Sequence, residues 1–197
     1  MDTRLSGKGT NRNFYLPRLG PEFYQGDAVV HWTMSIGGRN KGWLDNLFHA
    51  RFREIVLHAA ARQNLLCPAY CLMPDHIHLV FMGLKFDSDQ KKAMKFLREY
   101  VGKVMRPFRF QHQAYDHVLG QEERKQNAFA RLCFYVLANP VRAGFIGEND
   151  PWPYRGAVLP GYPMVDLLDE DFWPLFWKLY HQMHDPKAGE RRLPPRK

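Results

Sequence analysis

The sequence predicts an α+β fold, an antiparallel sheet with helices packed on one face, and three observations carry that prediction. Strand-like and helix-like segments follow one another as strand, helix, strand or two, helix, strand, helix. The longest apolar run, from Leu65 to Leu84, is interrupted by Pro68 and by the turn-prone Pro74-Asp75, so it reads as strand text rather than one buried helix. The 197 residues, 45% hydrophobic and 14% aromatic, suffice for one good core with an appendage rather than two independent domains.

Each element has its own signal. Residues 1–27 are rich in Gly, Arg, Asn and Pro with little periodicity, and read as a flexible basic arm ending in a turn at Gly26-Asp27. Ala28 to Ile36 is β-branched and aromatic with partial alternation, a strand that Gly37-Gly38 breaks. Leu44, Leu47, Phe48, Phe52, Ile55 and Ala59 have the one-face spacing of a helix running to about Gln63. The second half of the Leu65 to Leu84 run, His76 to Met82, is a strand. Asp87 to Arg106 returns to helical spacing, with Met94, Leu97, Val101 and Val104 inward, a basic row outward, and Ser88 as the expected N-cap. A short strand is expected at Tyr115 to Leu119, and a last core helix from about Asn127 to Ala138 stops at Asn139-Pro140. Beyond Gly144 the text is Trp- and Pro-rich. Phe172, Leu175, Phe176 and Leu179 then suit a docking helix within Asp169 to His184, and a basic tail follows.

Lys and Arg number 28 against 20 Asp and Glu, a net charge of +8, which favours a polyanionic partner and also fits a merely basic protein. The three cysteines Cys67, Cys71 and Cys133 lack the density of a disulfide scaffold. No second pair completes a zinc site with Cys67 and Cys71, so small core residues in a reducing compartment are expected. No apolar run is long enough to span a bilayer, and the first 20 residues lack a signal-peptide core, so the sequence predicts a cytoplasmic protein without membrane contact.

Two patterns carry chemistry. His76-Ile77-His78 lies in a strand pattern, where residues i and i+2 share a face, so two imidazoles stand side by side while Ile77 anchors the other face. Such a pair reads either as a polar patch on a half-exposed sheet or as part of a metal site. In the last core helix Phe129, Leu132, Cys133, Val136 and Leu137 form the apolar stripe, and Tyr135 falls outside it on the flank of Arg131 and Asn139. Tyr135 is then a rim aromatic or a functional group, and Asn139 a helix terminator or a carbonyl donor to the same space.

The strings MPDHIHLV from Met73 to Val80, YDHV from Tyr115 to Val118, YVLANPVRAG from Tyr135 to Gly144 and Trp152-Pro153-Tyr154 resemble, in order, the landmarks of REP-associated tyrosine transposases, within the single-tyrosine HUH transposases. The resemblance spans roughly residues 28–155, leaving 156–197 as a C-terminal extension. It implies a ferredoxin-like core, with Tyr135 as nucleophile, His76, His78 and Asn139 as ligands of Mg2+ or Mn2+, and single-stranded or hairpin DNA cut through a 5′-phosphotyrosine. Such an enzyme, a transposase and single-strand endonuclease, would work as a monomer or homodimer. Arg131, Lys91, Lys92, Lys95 and Arg98 are the expected phosphate contacts, and Trp32, Trp43 or Tyr115 the expected stacking platforms for unpaired bases. The chain departs from the family text at Arg155-Gly156, where a Ser pair is usual, and in its aromatic C-terminal segment. A domesticated, non-catalytic DNA-binding regulator and a phosphodiesterase using a metal-bound water are the competing readings.

Overall fold

The computed structural model describes residues 18–120, 123, 127–162 and 165–187. Five strands form one antiparallel sheet in the order β4-β1-β3-β2-β5: β1 Val29–Ser35, β2 Leu65–Met73, β3 His76–Gly83, β4 Tyr115–Val118 and β5 Arg155–Val158. The helices are α1 Asn46–Arg62, α2 Gln90–Val104, α3 Ala128–Leu137, the single turn α4 Asn139–Arg142, and α5 Phe172–Met183. Without β5, the order 4-1-3-2 with α1 and α2 as crossovers is the ferredoxin-like arrangement.

The apolar run does form two strands. Pro74-Asp75 is the turn between β2 and β3, and Pro68 sits where β2 slips register against both neighbours, a bulge that tolerates its missing N–H. Pleating then sorts the sheet into two faces. Val30, Trp32, Met34, Ile77, Leu79 and Phe81 meet Phe52, Val56, Met94 and Leu97, so α1 and α2 share one face as expected. The other face is also covered in part: Val29, Leu66, Val80 and Met82 cluster with Phe129, Cys133 and Val136 of α3 and with Phe172 and Phe176 of α5. The C-terminal helix thus packs with α3 over this face, Phe176 meeting Phe129 at 5.5 Å between ring centroids.

Several local expectations shift. The cap of α2 is Asp89, whose carboxylate accepts from Lys92 N at 3.0 Å. Ser88 is spent on the preceding turn, accepting from Lys85 N at 3.0 Å and donating to Asn64 O at 2.9 Å. Leu47 and Val104 face solvent, and Val56 takes an inward place on α1. Pro140 ends α3 without ending helical geometry, because a proline in the first turn of α4 needs no N–H donor. The expected arm lies outside the described residues up to position 17, and from Arg18 the chain belongs to the fold: Phe23 and Tyr24 are buried, and the Tyr24 hydroxyl donates to Asp116 at 2.5 Å. The boundary drawn after residue 155 falls inside β5, an edge strand paired with β2, and the basic tail from 188 lies outside the described residues. All three cysteines are free and buried. Among the described residues no helix is long and apolar enough to cross a membrane.

Candidate active site

β3 is the central strand, and its His76 and His78 do share a face while Ile77 is fully buried on the other. Cross-strand register builds a polar patch around them. Thr33 of β1 stands opposite His78 on one side and Tyr115 of β4 on the other, and His31 stands opposite His117. The imidazoles are linked in a chain: His76 Nδ1 to Asp75 Oδ1 at 2.6 Å, His76 Nε2 to His78 Nε2 at 2.9 Å, and His78 Nδ1 to His31 Nε2 at 3.0 Å and Thr33 Oγ1 at 3.1 Å.

Burial sets the charge state here. It pushes His78 down to about 3, aided by the neighbouring charges of His31, His76 and Arg142, and it pushes His31 down to about 4, aided by His117. Both rings are uncharged at neutral pH, the form that offers a lone pair. Burial pulls the Asp75 carboxyl up, but the hydrogen bond from His76 and the charges of His76 and Arg39 outweigh it, so Asp75 titrates below the ordinary carboxylate range.

Tyr135 meets this patch from α3. Its ring lies edge-on to His31 at 6.1 Å between centroids and is 43% exposed, and its hydroxyl has no hydrogen-bond partner among the described residues. Tyr135, Arg131, His31, Thr33, His78 and Tyr115 line a cleft of about 480 Å³. The guanidinium of Arg142 sits 4.1 Å above the Tyr135 ring, a cation–π contact that also places positive charge near His78. Asn139 turns its amide back: Nδ2 donates to the carbonyls of Tyr135 at 3.1 Å and Val136 at 3.0 Å. It makes no hydrogen bond to either histidine.

The basic row of α2 is on the opposite face of the sheet, away from the histidines. Lys91 lies 4.4 Å over the Tyr24 ring, and Lys92 pairs with Asp89 at 3.6 Å. Arg98 packs over Phe110 and donates to the carbonyls of Gln111 and His112 at 2.6 and 3.2 Å, so it ties a loop to the helix. With Arg18, Lys91 and Lys95 it lines a separate cleft beside β4. Of the expected stacking rings, Trp32 and Trp43 are core residues, and only Tyr115, 54% exposed, faces solvent beside the site. His31, Thr33, His117 and Arg142 are additions that the sequence reading lacked. The signal for the β1 pair was present, since Val29, His31, Thr33 and Ser35 alternate with Val30, Trp32, Met34 and Ile36.

Among the described residues no three His, Cys, Asp or Glu side chains are arranged to hold a metal ion. The residues present still suit one: two imidazole Nε2 atoms lie 2.9 Å apart, and the far nitrogens of both rings are already engaged by a carboxylate, a hydroxyl or a third imidazole.

No protein-family model matches the chain. A curated relative from Haemophilus influenzae, whose name places it among the REP-associated tyrosine transposases, is 22% identical over 142 residues, 64% of this chain and 78% of the relative. A solved structure of a REP-associated tyrosine transposase bound to a REP hairpin superposes with a TM-score of 0.57 at 15% identity, covering 72% of this chain and 81% of the other. The resemblance carried by the motifs and the α+β architecture are both borne out.

Proposed function

We propose that this chain, which resembles the REP-associated tyrosine transposases in sequence and fold, is a divalent-metal-dependent endonuclease and strand transferase for single-stranded hairpin DNA, with Tyr135 as its nucleophile. The observation that carries the reading is the placement of an exposed tyrosine, its hydroxyl without a partner among the described residues, against the uncharged, buried imidazoles of His31 and His78 and under an arginine. A core tyrosine would bury its ring and satisfy its hydroxyl, as Tyr70 and Tyr24 do.

His76 and His78 would hold Mg2+ or Mn2+. Asn139 is the third candidate, since its Nδ2 is occupied within the helix and no described residue donates to its Oδ1. When bound, such an ion polarises a scissile phosphate that two imidazoles and an amide leave it free to attract. Arg142 and Arg131 add positive charge on the tyrosine side of the cleft, where negative charge grows as the phenol attacks. The Tyr135 O–H bond breaks, its oxygen forms a bond to the phosphorus that stays on the 5′ oxygen of the downstream fragment, and the bond from that phosphorus to the 3′ oxygen of the upstream fragment breaks. That oxygen takes up a proton to become a free 3′-OH. The phosphotyrosine conserves the bond for rejoining, so a new 3′-OH reverses the step without ATP.

The test is a screen of single-stranded hairpin oligonucleotides from the flanks of the gene, with Mg2+ or Mn2+, read on a denaturing gel. A covalent adduct that disappears in Tyr135→Phe supports the reading. Cleavage without an adduct, indifferent to that substitution, would mean a water nucleophile instead, and binding with no cleavage would make the chain a DNA-binding regulator.

A further inference from the structure

We infer that Asp75 on one side, and Thr33 with His31 on the other, are positioning residues that fix the rings of His76 and His78 so that both Nε2 atoms converge, an inference that rests on reading this pair as metal ligands. Two histidines on one strand face share a direction but not a ring orientation, since each keeps its own side-chain rotations. Convergence to 2.9 Å therefore needs an outside constraint on each ring.

For His76 that constraint is the β2–β3 turn. Ile36 N donates to Asp75 O at 2.9 Å and holds the turn against the end of β1. The two carboxylate oxygens then divide their work, Oδ2 accepting from Arg39 at 3.2 Å and Oδ1 from His76 Nδ1 at 2.6 Å. A carboxylate only accepts, so Nδ1 must carry the hydrogen, and in the uncharged ring the lone pair is on Nε2, facing His78. For His78 the constraint is register. Thr33 stands directly opposite, and its hydroxyl, able to donate or accept, meets Nδ1 at 3.1 Å beside His31 Nε2 at 3.0 Å. A carboxylate or hydroxyl behind a ligating imidazole is how metal sites set tautomer and orientation.

The experiment measures Mn2+ affinity of the intact protein by electron paramagnetic resonance and the His76 tautomer in the metal-free protein by nitrogen-15 NMR. Asp75→Ala should weaken Mn2+ binding about 10- to 100-fold and shift the hydrogen from Nδ1 toward Nε2. Asp75→Asn should restore most of both, because its amide oxygen still accepts from Nδ1, whereas Arg39→Ala should change neither. Thr33→Val, close in shape, should weaken Mn2+ in the same direction and guards against misfolding of the Asp75 variant. Wild-type affinity in both Asp75→Ala and Thr33→Val would overturn the inference and leave the metal reading standing. Absence of Mn2+ binding in the wild type, or binding equal in His76→Ala and His78→Ala, would overturn both. A His76 ring without hydrogen on Nδ1 would overturn the inference whatever the metal does.

Discussion

At the scale of single residues, Tyr135→Phe removes one exposed oxygen and nothing from the core, so the folded protein should keep its stability within about 0.5 kcal/mol and keep its DNA affinity. The covalent adduct should vanish; hairpin cleavage at the wild-type rate would rule out the tyrosine mechanism. Arg142 is the more informative neighbour: helical geometry continues through Ala138 into α4, so two turns on from Tyr135 its guanidinium lies 4.1 Å over the nucleophile candidate. Arg142→Ala should slow adduct formation on the order of 100-fold, as loss of one preorganised positive group does. Arg142→Lys should recover only part of it, because an ammonium lacks the planar fork that stacks on a ring and grips phosphate. Single-turnover rates at saturating DNA decide this, and an unchanged rate in Arg142→Ala would reduce the contact to packing.

At the scale of elements, the sheet divides the basic groups into two populations. Lys91, Lys92 and Lys95 stand on the far face from the histidines, and β4 is the edge that separates them. If these three contact phosphates, each replaced by Gln should lower the slope of log affinity against log salt by roughly 0.7 for single strands, alike on hairpin and scrambled oligonucleotides. A slope equal to wild type would place the DNA elsewhere. Arg98→Gln differs in kind. It releases the loop carbonyls of Gln111 and His112 and should cost stability, on the order of 1 kcal/mol, in protein free of DNA. The aromatic C-terminal helix has a structural task too, since Phe176 is fully buried against Phe129 of α3, at 5.5 Å between ring centroids. Phe176→Ala should cost about 3–5 kcal/mol by chemical denaturation. A loss near zero would mean that α5 decorates α3 without holding it.

At the scale of the molecule, the histidines tie stability to pH. His49, far from the candidate site, is pushed down to about 4, first by burial and then by the charge of Arg53. The hydrogen bonds are compatible with an uncharged ring: Arg53 donates to the Tyr70 hydroxyl, whose own hydrogen is then available to His49 Nε2, 2.7 Å away. With an unfolded value near 6.5, the unfolded chain binds the extra proton first. Stability should therefore fall as pH drops from about 6.5 to about 4 and level off below. His49→Gln should lose less melting temperature across that window than wild type, and parallel curves would show that His49 does not report folding.

Local periodicity alone accounts for three features of the sheet and the candidate site. Alternation along one strand put His76 and His78 on a common face, helical spacing left Tyr135 off the apolar stripe of α3, and turn chemistry at Pro74-Asp75 split the apolar run into β2 and β3. Each of these follows from residues a few positions apart, where backbone geometry alone fixes direction. Which strands lie side by side depends on contacts between residues far apart in the chain. The fold set β1 beside β3 and β4 beside β1, bringing His31 and Thr33 to the pair from 47 and 45 residues upstream of His78 and His117 from 39 downstream. It also turned the basic row of α2 to the far face and buried Trp32 and Trp43, because a helix buries its apolar stripe on whichever face the crossover delivers it to. The edge strand β5 was illegible for the same reason: four residues of mixed text, Arg155–Val158, become a strand only because β2 offers them its free backbone groups.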